Sequence, residues 1–308
     1  MDREYFRGLA ASLLLLNSAA LGETFRVAAY NVENYLDQPT ESRRQVKSPA
    51  AKAKVRETIL AMRPDVIAFE EMGNLSALLE LRDALKKDGL DLPHHDHVAG
   101  FDTNIHVAVL SKFPIVGRRP HTNDSFLLSG RRFHVKRGFT DVDLKVNDHY
   151  EFTLIGAHLK SRRPVPEGDE AEMRFEEAKL LRALVNQKLA ANPNANLVVL
   201  GDFNDTYDAK ALKEIVGRGK GKLLDTRPAE QNGDTPLPPT NPHYLPRYIT
   251  WTHYYGVSDS YSRIDYLMLR PGMVREWDKE QTYIPKLANW GLASDHRPLL
   301  ATFTAENR

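Results

Sequence analysis

Six short clusters along the chain set oxygen and nitrogen donors against runs of aliphatic residues: Asn31 with Glu33, Glu70 with Glu71, His158 with Lys160, Asp202 with Asn204 and Asp205, Asp265, and Asp295 with His296. Carboxylates gathered in one crevice force up one another's pKa and resist ionising together. A hard divalent cation removes that conflict. Carboxylates and amides without thiols suit Mg²⁺, Mn²⁺ or Ca²⁺, and Mg²⁺ in particular is held through one or two carboxylates plus substrate phosphate. Histidines and a lysine beside such a shell point to hydrolysis of phosphate esters. Each cluster alone also has a structural reading. Asp202, Asn204 and Asp205 fit an Asx turn that caps a following helix, His158 fits a hydrogen-bonded core histidine, and Ser294-Asp295-His296 fits a strand-entry turn. Their recurrence at successive strand ends favours a site.

Strand ends converge on one crevice in layered α/β folds, so residues far apart in sequence can meet there. The aliphatic runs at 25–32, 65–72, 106–111, 152–159, 197–203, 263–269 and 298–304 have the length and composition of buried strands. Residues 49–63 read as a helix, with Ser48 at the N-cap, Pro49 at the first helical position, and Val55, Ile59 and Met62 at helical spacing. Further helices are expected at 74–88 and 170–191, and Asp205 is expected to cap a helix that follows it. Between about 98 and 158 strand patterns follow one another with little helix, which predicts antiparallel hairpins. The fold class is therefore a mixed α/β (α+β) layered one, with residues 23–308 as a single domain.

Lysine plus arginine (42) and aspartate plus glutamate (41) nearly cancel, so no overall field advertises nucleic acid or membrane and any basic surface must be local. Candidates are Arg118-Arg119, Arg131-Arg132, Lys136-Arg137, Lys160 with Arg162-Arg163, and the Gly217–Lys222 loop; Tyr244, Tyr248, Tyr254 and Tyr255 are available to stack on bases. The absence of cysteine excludes disulfides, thiol catalysis and cysteine-based zinc sites. Residues 1–22 carry Arg3 and Arg7, an apolar stretch from Leu9 to Leu16, and Ala20-Leu21-Gly22. That pattern reads as a signal peptide of a secreted or periplasmic protein, the other reading being an amphipathic helix packed on the domain. The stretch is too short to span a bilayer. The proline-rich segment 233–246 is expected on the surface.

The segments "RVAAYNVENY", "RPDVIAFEEM", "VAVLSKFPI", "GAHLKS", "VVLGDFND", "SRIDYLML" and "SDHRPL" resemble, in order, the motif series of the endonuclease/exonuclease/phosphatase superfamily. The resemblance runs from about residue 25 to residue 304 and implies a four-layered α/β/β/α sandwich with a divalent-metal site at one end. Carried over by motif, Glu71, Asn31 and Asp295 lie on the metal side. Asp202 and Asn204 hold water and phosphate oxygens, and His158 contacts the phosphate or aids the leaving group. His296 is the general base, oriented by Asp265, with Asp202 as the competing base. Glu70 stands where the family usually has glutamine, which leaves open which glutamate binds. Lys160 and Arg162 are the expected substrate contacts, and Trp251, in "YITW", is expected in a core strand. The implied cofactor is Mg²⁺ or Mn²⁺, with Ca²⁺ as a further option. The leading expectation is a monomeric nuclease. The alternatives are a lipid or small-molecule phosphodiesterase or phosphatase and a non-catalytic binding protein on the same fold.

Overall fold

A strand covered on both faces needs apolar side chains at every position, and that is what the uninterrupted aliphatic runs provide. The computed structural model of the chain describes residues 22–231 and 248–306. The expected signal peptide, apart from Gly22, and the segment 233–246 with Tyr244 fall outside the described residues. The elements are, in order, β1 (Thr24–Tyr35), α1 (Pro49–Met62), β2 (Val66–Met72), α2 (Leu75–Lys87), β3 (His94–Val98), β4 (His106–Ser111), β5 (Ile115–Arg118), β6 (Ser125–Leu128) and β7 (Arg131–His134). There follow β8 (Phe139–Asn147), β9 (Tyr150–His158), α3 (Glu170–Ala191), β10 (Leu197–Asp202), α4 (Lys210–Val216), β11 (Leu224–Asp225) and β12 (Ala229–Glu230). The last are β13 (His253–Tyr255), β14 (Ser260–Ser262), β15 (Asp265–Leu269), β16 (Trp277–Ile284) and β17 (Leu299–Thr304).

Among the described residues the strands form a seven-stranded sheet in the order β12-β16-β17-β1-β2-β4-β3, a six-stranded sheet in the order β11-β15-β10-β9-β8-β5, and the separate hairpins β6–β7 and β13–β14. Val27 and Ala29 of β1 join Val198 and Leu200 of β10 in the apolar layer between the sheets. The alternate residues Ala28 and Tyr30 pack with Val55 and Ile59 of α1 and Leu81 of α2. On the second sheet, Val199 of β10 and Tyr266 of β15 pack with Leu181 of α3 and Ile215 of α4. Three apolar layers between four structural layers make the α/β/β/α sandwich that the resemblance implied.

The two ends of the inter-sheet layer differ. At one end Phe25 stacks on Phe152 and Phe303 at centroid distances of 5.2 and 5.3 Å. At the other end, β9 and β10 finish in His158 and Asp202, β15 begins with Asp265, and Asn31 and Glu70 stand near the ends of β1 and β2. The aromatic end is closed by packing and the polar end supplies the crevice.

Helix α1 starts as expected, with Ser48 Oγ accepting the Ala51 N–H at 3.2 Å and Pro49 at the first turn. Ser48→Ala should lower stability by about 1 kcal/mol, the usual cost of an N-cap, which a shifted urea midpoint at constant slope would report. Two expectations are corrected. Asp205 caps no helix: α4 starts only at Lys210 behind Ala209, and the Asp205 carboxylate instead accepts from Arg174 Nε at 3.0 Å. Trp251 is half-buried outside any strand, with the Arg297 guanidinium over its ring at 4.1 Å.

Candidate active site

The β-sheet registers explain why the distant clusters meet. Asp202 lies opposite His158 on one side and Asp265 on the other, and Asn31 lies opposite Glu70 in the facing sheet. The registers of β1 with β2 and of β2 with β4 shift around Asn31–Tyr35 and Phe69–Met72. Such bulges re-aim side chains. Glu71, at φ 59°, is in the left-handed region, as are Glu33 and Asn34 at 42° and 53°. The bulge places the two glutamates differently. Glu70 is fully buried, with an oxygen toward Gly201, whereas Glu71 is half-exposed and accepts the Asn34 N–H at 3.1 Å.

Asp202 is the hub. Its Oδ1 accepts the Asn204 N–H at 2.9 Å, and its Oδ2 accepts from Asn31 Nδ2 at 3.1 Å and Asn204 Nδ2 at 3.2 Å. His158 Nε2 stands 3.4 Å and His296 Nε2 3.8 Å from the same Oδ2. His296 Nδ1 faces both oxygens of Asp265, at 2.9 and 3.1 Å. Asp295 sits at the rim with an oxygen 3.9 Å from His296 Nε2. Asn204 also donates to the Leu159 carbonyl at 3.0 Å, so its amide is turned inward and positions Asp202.

The residues expected to meet substrate are placed differently. The Lys160 ammonium donates to the carbonyls of Ser161 and Arg163, both at 2.8 Å, and so organises its own loop. Arg162 is exposed and donates to Ser262 Oγ of β14 at 3.1 Å. Sequence reasoning had not singled out Arg43, and had named Arg137 only as part of a surface pair. Both bear on His158 and both pair with Asp102, at 3.9 and 3.6 Å. A hollow of about 480 Å³ beside Glu33 and Asn34 is lined by Arg43, Lys47 and Leu292. A larger one, about 890 Å³, opens on the outer side of the second sheet by Tyr207, Arg263 and Tyr266. That face is the one packed by α3 and α4, away from the carboxylates.

Burial and crowding perturb the titrations. Burial, then the charges of Asp265 and Asp202, holds the Glu70 carboxyl well above its ordinary range. Asp202 is pushed up to about 7 by burial and by Asp265, against the pull of His296 and the Asn204 N–H. For His296 burial acts downward, but Asp265 and Asp202 outweigh it and raise the imidazole well above its usual value. His158 goes the other way, held well below by burial and then by Arg137. It is a neutral imidazole at pH 7.

The donor set fits a hard divalent cation. Glu71, Asn31, Asp202 and Asp295 offer only oxygens, and both oxygens of fully buried Glu70 lack a hydrogen-bond partner among the described residues. The cluster without a cation must therefore hold protons, and loading should expel them. The sign is set by Asp202. With its pKa near 7, Mg²⁺ affinity should fall by roughly tenfold per pH unit below 7 for each proton displaced. Calorimetry in two buffers of different ionisation enthalpy checks this, and a heat indifferent to the buffer would contradict it.

Two facing sheets, outer helices and an oxygen-rich, histidine-bearing crevice at one end define a phosphoesterase-type sandwich. The sequence matches the Endonuclease/Exonuclease/phosphatase family over residues 28–296, and the chain belongs to that family, whose members are in general hydrolases of phosphoesters. Comparison with curated proteins gives no match. Among solved structures, the fold is similar to the catalytic domain of human Nocturnin with bound sulfate, at TM-score 0.62 and 16% identity, covering 92% of this chain and 95% of that one. It is similar to sphingomyelinase C from Streptomyces griseocarneus at TM-score 0.60 and 18% identity, covering 92% and 100%. It is likewise similar to truncated Caenorhabditis elegans TDP2 at TM-score 0.60 and 16% identity, covering 92% and 98%. At these identities the likeness concerns the fold.

Proposed function

We propose that the chain is a divalent-metal-dependent phosphodiesterase that cleaves nucleic acid by in-line attack of an activated water. The observation that carries the chemistry is the buried Asp265–His296 pair, whose free Nε2 faces Asp202 at 3.8 Å. Asp265 accepts the Nδ1 hydrogen, fixes the tautomer and stabilises the imidazolium that forms, as in a catalytic triad. The carboxylate charge that raises the His296 imidazole would be offset by the bound cation, and His296 Nε2 then takes the proton from the attacking water. Asp202, held by three N–H donors, receives hydrogen bonds from that water and keeps it in line. Neutral His158 donates to the phosphate or to the leaving oxygen. Glu71, Asn31 and Asp295 would hold Mg²⁺ or Mn²⁺, with Glu70 behind them. When bound, the cation neutralises charge building on the phosphoryl oxygens.

Arg162 and Arg43 near the crevice suit a phosphate backbone. The hairpin β13–β14 adds aromatic faces, with Tyr255 and Tyr261 exposed at 50% and 56%, on which unpaired bases stack. One feature favours a second reading, a lipid phosphodiesterase: Val257 at the tip of the same hairpin is 84% exposed, an apolar contact that a lipid surface would cover. A panel separates them. Purified protein with Mg²⁺ should cleave a single-stranded oligonucleotide, and the activity should vanish in excess EDTA. An intact oligonucleotide alongside turnover of sphingomyelin would replace the nuclease reading by the lipid one.

A further inference from the structure

Polar side chains at this end of the sandwich are largely consumed by the arrangement around Asp202, but His253 is not. It opens β13 and forms a bridge with His296, and the next residue ties the strand down as the Tyr254 N–H donates to the Asp295 carbonyl at 3.0 Å. The rings of His253 and His296 lie 4.6 Å apart. His253 Nε2 is 3.6 Å from Asp295 Oδ2, and His296 Nε2 is 3.9 Å from Asp295 Oδ1. Each ring has its Nδ1 turned to an oxygen, His253 to Ser262 Oγ at 3.5 Å and His296 to Asp265 at 2.9 Å. That is the arrangement in which histidine, its Nε2 proton displaced by the ion, presents Nε2 to a metal while the far nitrogen faces an oxygen.

We propose that His253, His296 and Asp295 form a binding site for a zinc-class divalent metal, which shares Asp295 with the oxygen-rich Mg²⁺ shell but differs from it in its two nitrogen donors, and that filling it stops hydrolysis. Two imidazoles and one carboxylate suit Zn²⁺, which takes nitrogen readily, and suit Mg²⁺ poorly. A tetrahedral zinc with ligands at about 2.0–2.1 Å sets neighbouring donors roughly 3.3 Å apart. The three donor atoms already lie within 4.8 Å of one another, so closure needs only side-chain adjustment. Asp295 is half-exposed at the rim, which gives the ion a way in, and water fills the remaining position. The inhibition follows because zinc occupies the His296 lone pair that takes the proton from water. This consequence rests on the reading of His296 as base, whereas the site itself does not.

The test uses the whole chain, stripped with EDTA and dialysed. Zinc chloride is titrated in by calorimetry, and hydrolysis of bis(p-nitrophenyl) phosphate in excess Mg²⁺ is followed as zinc is added. The parent should take up one Zn²⁺ and lose activity in step with occupancy. His253→Asn keeps an amide toward Ser262 but has no Nε2, and His253→Phe keeps a ring against His296. Both should bind zinc at least about tenfold more weakly, the scale on which loss of even a supporting partner weakens metal sites. Both should also keep their Mg²⁺-supported rate at zinc levels that silence the parent, a rate that certifies their folding. Equal zinc affinity in the parent and both variants, or a parent that takes up zinc with hydrolysis unchanged, overturns the proposal. Zinc affinity that depends on His253 in a protein with no phosphoesterase activity supports the site and sinks the functional reading alone.

Discussion

Replacing His296 with asparagine is expected to lower Mg²⁺-supported turnover by about 1,000-fold while leaving the fold intact. General-base groups contribute roughly 100- to 10,000-fold. Asparagine is the informative choice because its amide can still donate to Asp265, which is 3% exposed and otherwise left as a buried carboxylate without its 2.9 Å partner. The loss should appear in kcat with little change in KM, since the imidazole acts on water and binds no substrate. Asp265→Asn should lose activity on a comparable scale, because an amide does not fix the tautomer or stabilise the imidazolium. A His296→Asn enzyme within about threefold of the parent would transfer the base role to Asp202.

The largest stability effect is expected at Gly201. Its φ is +130°, outside what L side chains adopt without strain, and an added Cβ would lie 2.1 Å from the Ala157 carbonyl oxygen and 2.9 Å from Glu70 Oε1. The first obstacle is backbone of the β9–β10 ladder, where Gly201 pairs with Ala157, so no side-chain rotation relieves it. Strain at such a conformation costs about 1–3 kcal/mol and overpacking about as much again. Gly201→Ala should therefore lose roughly 3–5 kcal/mol in denaturant unfolding. Activity should fall too, because Asp202 is the next residue and moves with it. A loss under about 1 kcal/mol would mean that the strands separate more easily than their register suggests.

What the sequence revealed follows from the two-sided burial of the strands. Runs such as Leu197–Leu200 and Leu299–Ala301 are aliphatic at every position, so they are recognisable without alternation, and each borders a polar cluster because the core ends there. Helix α1 was legible from Ser48 and Pro49. Helix α4 was not, since its seven residues are too few to show a period, and Asp205 therefore looked like a cap when its partner is Arg174 on a helix earlier in the chain. The different placement of Glu70 and Glu71 is set by a bulge, which leaves no mark in residue types. The inward turn of the Asn204 amide and the contact of His253 with Asp295 are likewise tertiary. His253 meets His296 across a two-residue bridge that no spacing announces, and Lys160 spends its charge on carbonyls one and three residues away.

The central proposal is that the carboxylates and histidines at the polar end of the sandwich hydrolyse phosphodiesters with a hard divalent cation. The most direct test is the rate of bis(p-nitrophenyl) phosphate hydrolysis by the purified chain and by Glu71→Gln across a Mg²⁺ titration and in excess EDTA. The expected result is saturable Mg²⁺-dependent turnover in the parent, no turnover in EDTA, and a variant that needs far more Mg²⁺ or fails altogether. Turnover equal in EDTA and Mg²⁺, or a Glu71→Gln protein with the parent's Mg²⁺ dependence, would contradict it.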